Sequence, residues 1–463
     1  MASAAEQLAS SFSWSAIVRG ELKDRLLFTL GALLIYRLGT FVPLPGIDAV
    51  AMAALFDQQQ QGILGQLNLF AGGAVERMSV FALSILPYIS ASIIMQLMQV
   101  AVPALEQAKK EGEQGRRKIN QYTRYLTVLL AAAQAFGIAI ALEGSTSSGG
   151  AIVTDPGLFF RIQTVVTLTS GTIFLMWLGE QVTARGIGNG ISLLIFAGIV
   201  AAIPSALANL FEVGATEAGA AAGSVLLIVI MLALVVFVVF MERAFRRLVV
   251  QYPKRVVGGN QQSEAQSSFL PLKLNTTGVI PAIFASSLLI MPQTIAGFNA
   301  TGFENDWLQW LVTQLGRGQP LFMLLFAGLI IFFAFFYTSI VFNPEETADN
   351  LRKQGGYIPG VRPGPNTAVY LDYVLTRLTT VGAIYLAGVA ILPEFLASSQ
   401  GAAFIFSGMS VLIIVSVTID TVQQIHTHII AQQYEHLLAK QNLAGGSSGA
   451  KRAARRARRK GRP

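Results

Sequence analysis

Long apolar runs with few charges constrain this sequence more than any other feature. A bilayer core about 30 Å thick needs about 20 mainly apolar residues per helix. Continuous rather than alternating runs favour helices over a β-barrel. The sequence therefore predicts ten spans, with nine or eleven as alternatives because the first and ninth runs have ragged ends. They lie near 26–43, 78–102, 121–142, 157–179, 189–211, 222–241, 276–297, 320–341, 373–393 and 402–422.

The composition excludes a soluble globular protein of this length. Charged residues are only 13% of the 463 residues, whereas ordinary globular proteins contain about 25%. Too few charges are therefore present to cover a soluble surface, and we expect an integral membrane protein. Cysteine is absent, which excludes disulfides, thiolate metal sites and cysteine nucleophiles.

The positions of lysine and arginine predict the orientation. They are concentrated in the N-terminal segment, the C-terminal tail and the connections 103–118, 243–275 and 342–372. Apart from Arg77 and Arg161, which sit at the starts of spans, the opposite connections contain only Arg317. Basic connections are retained in the cytoplasm, so both termini are predicted to be cytoplasmic. The N-terminus is polar through Arg25, so no cleavable signal peptide is expected.

The sequence lacks the usual patterns of enzymes and ion-coupled transporters. It contains no phosphate-binding G-x-x-x-x-G-K-[ST] loop, and His426, His428 and His436 lack the i,i+4 spacing of a helical metal site. We therefore predict no enzymatic activity, no cofactor and no metal. The absence of acids at mid-membrane disfavours ion coupling, although carbonyls of broken helices could bind ions. From the residues alone, a small-solute transporter and a membrane scaffold without a pore remain alternatives.

Arg37 is unusual because it lies in the outer half of the first predicted span. Charges inside a membrane are costly and often mark function. A structural partner or snorkelling to the interface explains it equally simply. Both interpretations stay open at the level of sequence.

A short internal repeat links the second and seventh runs. Residues Ile85–Ser92 align with Val279–Ser286 at a constant offset, with Pro, Ile, Ala and Ser in common. These two spans run in opposite directions, so the match predicts an inverted repeat with a pathway between its halves. The proline in each segment predicts a kink or break.

Glycines bracket a stretch before the second run that is too short to span a membrane. It extends from Gly62 to Gly73. We predict a short helix that enters partway from the outer side. An ordinary interfacial loop is the alternative.

With these features the chain resembles the SecY family, the channel-forming subunits of the bacterial Sec translocon. The resemblance runs from about Glu21 to Leu443. Its most specific stretches are Phe41–Asp48, Leu86–Ile93, Leu178–Gln181, Arg185–Ser192, Gly278–Ser286 and Pro359–Gly364.

The resemblance implies an all-α polytopic membrane protein of the bacterial cytoplasmic (inner) membrane. Ten transmembrane helices would form two inverted five-helix halves around a central pore, with a short plug helix. The implied function is a passive channel that passes unfolded secretory polypeptides and releases hydrophobic segments laterally into lipid. The expected segments are a cytoplasmic N-terminus (1–25), a first half (26–211) with the plug at about 62–74, a second half (212–424) and a cytoplasmic basic tail (425–463).

The resemblance also assigns residues to four sites. A pore ring of aliphatic side chains is expected at Ile85, Ile89, Ile191, Ile195, Ile283 and Ile413. The plug would include Gly62, Leu64, Leu67, Phe70, Gly72 and Gly73. The lateral gate would include Pro87, Ser92, Pro281 and Ser286. Docking of a motor or ribosome is expected at Arg246, Arg247, Lys254, Arg255 and Arg362.

The implied partners are SecE and SecG in a heterotrimer, the SecA motor, the ribosome, signal sequences of precursors and anionic lipid. Two regions depart from the family. Residues 258–264 carry fewer basic residues than is common there, which puts contacts at that loop tip in doubt. The stretch 445–460 adds a Gly/Ser linker and a basic tail suited to rRNA phosphates or anionic lipid, or to a solvated charge cluster.

Overall fold

A helix lies in each of the ten apolar runs in the computed structural model. The structure describes residues 21–59, 65, 68, 71–144, 146–147, 150–216, 220–252, 256–257, 261–262, 267–298, 314, 316, 319–400 and 408–431. The helices that occupy the ten runs are α1 Glu21–Gly39, α3 Leu86–Ala101, α5 Glu113–Gly144, α6 Leu158–Arg185, α7 Gly190–Thr216, α8 Ala220–Arg243, α9 Ile280–Phe298, α10 Pro320–Val341, α12 Pro365–Gln400 and α13 Gly408–Ala431. Shorter helices are α2 Ala49–Gln59, α4 Pro103–Lys110 and α11 Pro344–Lys353.

Five described helical segments are long and apolar enough to cross a membrane: Glu113–Gly144, Leu158–Arg185, Pro320–Lys353, Pro365–Phe395 and Gly408–Ala431. Helices α3 and α4 meet at a bend of 97° and together form a sixth candidate. The apolar parts of α7 and α9 are shorter. The count of ten spans therefore stays a prediction.

The two prolines of the internal repeat lie at the beginning of their helices. Pro87 is in the first turn of α3, and Pro281 is the second residue of α9. Proline suits this position because its missing N–H would have no helical partner there. In both segments the proline therefore marks the start of the helix rather than the expected kink or break within it. Residues 78–85, predicted as part of the second span, form turns instead, so that helix begins only at Leu86.

Short antiparallel strand pairs occupy the connections. They are β1 Thr146–Ser147 with β2 Gly150–Ala151, β3 Phe245–Gln251 with β6 Ser267–Lys273, and β4 Val256–Val257 with β5 Gln261–Gln262. The β3–β6 pair lies in a connection for which no strand was expected. In β3 the side chains of Leu248 and Val250 are buried while Arg246 and Arg247 are exposed, which is the alternation of a half-buried strand.

The larger of two packed units contains the described parts of 35–177 and 194–416. In this unit α3 packs against α5, α9 contacts α3, α5, α10 and α12, and α10 packs against α12. One core joins α2, the turns at 78–83 and the ends of α5 and α6. Ala131, Ala135 and Ala139 lie on one face of α5 and are fully buried. Small residues on one face allow helix backbones to approach closely in a membrane.

The smaller unit contains described residues 21–34, 178–193 and 417–431. Leu22, Ile187 and Ile429 form its buried core. The loop between α6 and α7 is fixed by side chains, since the Ile187 amide donates to Thr29 Oγ1 (3.1 Å) and the Gly188 amide donates to Gln424 Oε1 (2.8 Å). These bonds satisfy backbone donors that the loop would otherwise leave buried and unpaired.

The exposed start of α1 carries an ion pair within the same unit. Arg25 Nη2 lies 2.7 Å from Glu21 Oε1. The hydrogen bond and charge of Arg25 lower the pKa of the Glu21 carboxyl below its usual value.

Candidate functional site

The predicted pore-ring isoleucines come from the turn before α3 and from α3, α7, α9 and α13. Five of them belong to the larger unit and are between 0% and 6% exposed: Ile85, Ile89, Ile195, Ile283 and Ile413. The sixth, Ile191, is half-buried and belongs to the smaller unit. Aliphatic side chains offer no hydrogen bond or charge to a passing chain.

The two helices assigned to the lateral gate contact each other. They are α3 and α9, and both also contact α5. Pro87, Pro281 and Ser286 are buried, and Ser92 is half-buried. The Ser92 hydroxyl accepts a hydrogen bond from Gln96 Nε2 (3.3 Å), and the Ser286 hydroxyl donates to the Ile283 carbonyl (2.8 Å).

Both gate helices also carry buried polar atoms without hydrogen bonds. Among the described residues, Gln96 Oε1 on α3 and Ser287 Oγ on α9 have no partner. A buried unsatisfied polar group costs about 1–3 kcal/mol. Rearrangements that expose these atoms to water or to another polar group therefore recover part of that free energy.

A buried polar network fixes the chain where it enters α9. Asn275 Nδ2 donates to Glu242 Oε1 at 2.7 Å and to the Gly278 carbonyl at 3.1 Å. Thr277 Oγ1 donates to Asn275 Oδ1 at 3.2 Å. Because Glu242 lies near the end of α8, these bonds tie α8 to the start of α9. We call Glu242, Asn275, Thr277 and Gly278 the α9 mount.

The α9 mount is continuous with the strand pair β3–β6. The strand β6 ends at Lys273, and the Leu274 amide donates to the Ala244 carbonyl at 2.9 Å. Helix α12 lies close by, because a Cβ at Gly382 would be 2.9 Å from the Leu274 carbonyl oxygen. The start of α9 is thereby joined to the connection that carries predicted docking residues.

The predicted docking loops after α8 and α10 are joined into one structure. Gln251 in β3 and Tyr357 exchange two backbone hydrogen bonds of 2.9 and 3.0 Å, and Tyr357 donates its hydroxyl hydrogen to Gln251 Oε1 at 3.0 Å. A single core contains side chains of β3, β6, α11 and α12. The connections after α8 and α10 therefore form one packed structure, and a force on either of them acts on both.

The predicted docking arginines are exposed on this structure. Arg246 and Arg247 project from β3, and Arg362 follows the turn at Gly360. The backbone carbonyl of Arg362 accepts a hydrogen bond from Thr367 Oγ1 (3.1 Å). Within the described part of the chain, the Arg362 guanidinium makes no hydrogen bond or ion pair. Lys254 and Arg255 lie outside the described residues.

The predicted plug is described at residues 65, 68 and 71–74. Gly62, Leu64, Leu67 and Phe70 lie outside the described residues, whereas Gly72 and Gly73 are described. Asn68 Oδ1 accepts hydrogen bonds from the amides of Val75 and Glu76, both at 3.1 Å. Gly72 and Gly73 both adopt positive φ, +65° and +85°, which only glycine tolerates easily.

The stretch Phe41–Asp48, one of those that carry the family resemblance, binds two other segments of the chain. Val42 and Leu44 exchange backbone hydrogen bonds with the turns after the plug, at Val80 and Met78 (3.0 and 2.9 Å). Asp48 donates its amide to Ile152 at 2.9 Å. The stretch therefore acts as a brace between the first helix, the turns before α3 and the loop before α6.

Sequence reasoning missed several residues that hold these sites. Tyr36 contacts the plug end, Thr29 and Gln424 fix the loop before Ile191, and Glu242 with Asn275 forms the α9 mount. A carboxylate at the end of an apolar run was the available signal for Glu242, because a charge beside a membrane needs a partner. The described residues contain no group of three or more His, Asp or Glu side chains that could hold a metal ion.

The fold matches that of solved SecY channels. A solved SecY channel, whose plug domain stabilises the closed state, superposes with a TM-score of 0.62 at 18% identity and covers 88% of this chain and 92% of that chain. At 18% sequence identity, this superposition is evidence about the fold alone.

Sequence relatives identify the family. A protein translocase subunit SecY of Rickettsia bellii is 51% identical over 423 residues, which are 91% of this chain and 97% of the relative. The protein translocase subunit SecY of Escherichia coli K12 is 52% identical over 428 residues, with 92% and 96% covered. The model of the SecY family matches residues 79–422. The chain belongs to the SecY family and is a channel subunit of a protein translocase.

Proposed function

We propose that the chain forms the central pore for unfolded secretory polypeptides in the bacterial cytoplasmic membrane, with both termini in the cytoplasm. Apolar segments leave the pore sideways into lipid between α3 and α9. Membership in the SecY family over nearly the whole chain carries this proposal. The contact between α3 and α9 and the aligned starts of these helices support the choice of gate.

The constriction is formed by the isoleucine ring. An apolar collar resists water and ions by dewetting and presents no binding site to a translocating chain. The burial of Ile85, Ile89, Ile195, Ile283 and Ile413 supports this role. Helices α3, α7, α9 and α13 each contribute, so a modest separation of helices widens the collar.

Polar substitution in the ring tests the proposal. Ile283→Asn and Ile413→Asn place an amide in the dewetted gap and should wet it. The purified complex in planar bilayers should then conduct ions in its resting state. In cells, precursors with defective signal sequences should be exported.

An exposed isoleucine supplies the matched control. Ile384 on α12 is 61% exposed, so Ile384→Asn should cost membrane-insertion free energy and lower the abundance without raising conductance. If the ring variants conduct as little as the unsubstituted complex, these isoleucines do not form the constriction.

The plug seals the outer funnel at rest, and the energy for transport comes from partners. We propose SecA or a translating ribosome as the source, docked at Arg246, Arg247, Lys254, Arg255 and Arg362. The exposure of Arg246, Arg247 and Arg362 on one joined structure supports a shared docking surface. SecE and SecG complete the complex, signal sequences open the gate, and the basic tail meets anionic lipid.

A further inference from the structure

Consecutive side chains of α1 bind the turn that follows the predicted plug. Arg37 Nη1 donates a hydrogen bond to the Gly72 carbonyl at 2.6 Å. The neighbouring Tyr36 donates its hydroxyl hydrogen to the Ala71 carbonyl at 3.3 Å and is only 2% exposed. Two adjacent backbone carbonyls are thus held by two adjacent residues of one helix.

The Arg37 side chain is itself held in place by an aromatic ring. Its guanidinium carbon lies 4.9 Å from the centroid of the Phe41 ring, and that of Arg77 lies 4.3 Å from the same centroid. Cations over an aromatic ring are attracted by its quadrupole. Phe41 therefore contacts both Arg37, which precedes the plug in the sequence, and Arg77, which follows it.

The turn has little room to move while these contacts exist. A Cβ at Gly72 would lie 2.8 Å from the Gly198 Cα of α7 and 3.3 Å from the Tyr36 hydroxyl. Tyr36 also stacks on Phe81, with ring centroids 6.3 Å apart. The turn is therefore wedged between α1 and α7 and bonded to one of them.

We infer that Arg37, assisted by Tyr36, is the positioning residue that anchors the carboxyl-terminal hinge of the plug, the turn Ala71–Gly73. This inference rests on the proposed function of the preceding segment as a plug. A permanently charged donor suits the task, because a hydrogen bond from a charged group to a carbonyl is stronger than a neutral one. Since the acceptors are backbone carbonyls, the anchor holds the turn whatever side chains the plug carries.

Opening then requires the anchor to be broken. The closed state is favoured by the Arg37 bond, and its loss shifts the population towards a displaced plug. Arg37 lies in the outer half of the first predicted span, and its role there is to hold the plug hinge through the bond to Gly72.

Substitution of Arg37 in the purified complex tests the anchor. Arg37→Met keeps the length of the side chain but removes its charge and its donors. Loss of one bond from a charged donor should raise the resting conductance in planar bilayers roughly ten- to a hundredfold. Tyr36→Phe is a milder variant that keeps the ring and should raise the conductance less, and Arg37→Lys should lie between.

A thiol probe measures the hinge directly, because the chain contains no cysteine. Ala74 is fully buried beside the turn, so a single Ala74→Cys change should react slowly with a membrane-impermeant maleimide. The labelling rate should rise when Arg37→Met is added. The matched control is Arg161→Met, which breaks the ion pair with Glu143 (2.7 Å) and leaves the hinge untouched.

The outcomes separate the anchor from the plug. Deletion of residues 62–74 should leak if the segment is a plug. If the deletion leaks while Arg37→Met and Tyr36→Phe retain the resting conductance and labelling rate of the unsubstituted complex, the anchor is refuted and the plug survives. If the deletion does not leak, the plug is refuted, and the labelling rate alone decides whether Arg37 holds the turn.

Discussion

Replacement of Asn275 by aspartate should weaken the α9 mount severely, although the two side chains have the same shape. Asn275 and Glu242 are 5% and 9% exposed. Their bond joins Asn275 Nδ2 to Glu242 Oε1 at 2.7 Å. Asn275→Asp exchanges the donor for a second carboxylate oxygen in the same place. A buried carboxylate then faces another carboxylate instead of a hydrogen-bond donor.

The size of the effect follows from the contacts that are lost. A hydrogen bond to a charged group contributes about 1.5–3 kcal/mol, and the neutral bond from Asn275 to Gly278 contributes about 1 kcal/mol. Repulsion between the carboxylates adds to this until one of them takes up a proton. We expect a total of about 3–5 kcal/mol, in the range measured when one partner of a buried charged pair is removed.

Thermal unfolding of the purified complex measures this prediction. A loss of this size should lower the melting midpoint by about 3–10 °C in a chain of this length. The double variant Glu242→Gln with Asn275→Asp restores one amide donor and one carboxylate acceptor. The double variant should therefore recover at least half of the stability lost in Asn275→Asp. Such a double-mutant cycle measures the interaction energy between two residues in direct contact.

An exposed hydrogen bond serves as the control for that measurement. Tyr357→Phe removes the bond from the Tyr357 hydroxyl to Gln251, which is on the surface, and should leave the melting midpoint nearly unchanged. If Asn275→Asp melts like the unsubstituted complex, or if the exchanged pair melts lower than Asn275→Asp alone, the direct pairing of Glu242 with Asn275 is wrong.

Three further predictions concern the docking surface, the hinge and an outer ion pair. Arg362→Glu should abolish SecA-driven import into vesicles at normal abundance of the protein, and normal import would remove its docking role. Gly72→Ala should leak ions at rest, because its Cβ would lie 2.8 Å from Gly198 Cα; a tight seal would contradict the described turn. Glu143→Gln should lower the melting midpoint by only about 1–2 °C, since the pair with Arg161 is partly exposed, and a much larger drop would show that the pair is structurally essential.

The positions of the helices could be predicted from the sequence because apolar length is a local property. Each apolar run contains a helix, and the stretch Ile85–Ser92 pointed to the repeat. The starts of the helices were harder to predict. Residues 78–85 are apolar enough to continue a helix, yet Met78 and Ser84 adopt positive φ (42° and 52°), a conformation that side chains tolerate only when the surrounding structure imposes it.

The contacts that hold the sites could not be predicted, because they join residues far apart in the sequence. Arg37 and Gly72 are 35 residues apart, and Asn275 and Glu242 are 33 apart. Sequence alone therefore left Arg37 between a structural and a functional interpretation. The strand pair β3–β6 was missed for a related reason, since its alternation is short and its two strands are separated by residues 252–266.

The two gate helices begin at aligned positions but are attached to different structures. Helix α3 follows the turns that run from the plug hinge, braced by Phe41–Asp48. Helix α9 follows the mount that continues from β6. In the proposed orientation, the inverted repeat places the start of α3 on the outer side and the start of α9 on the cytoplasmic side. If these sites act as proposed, a force on β3 and β6 is transmitted to the gate through α9, whereas displacement of the plug is transmitted through α3. Because α3 and α9 contact each other, either event alters the same interface if the two sites act as proposed, and motor docking is then coupled to release of the seal.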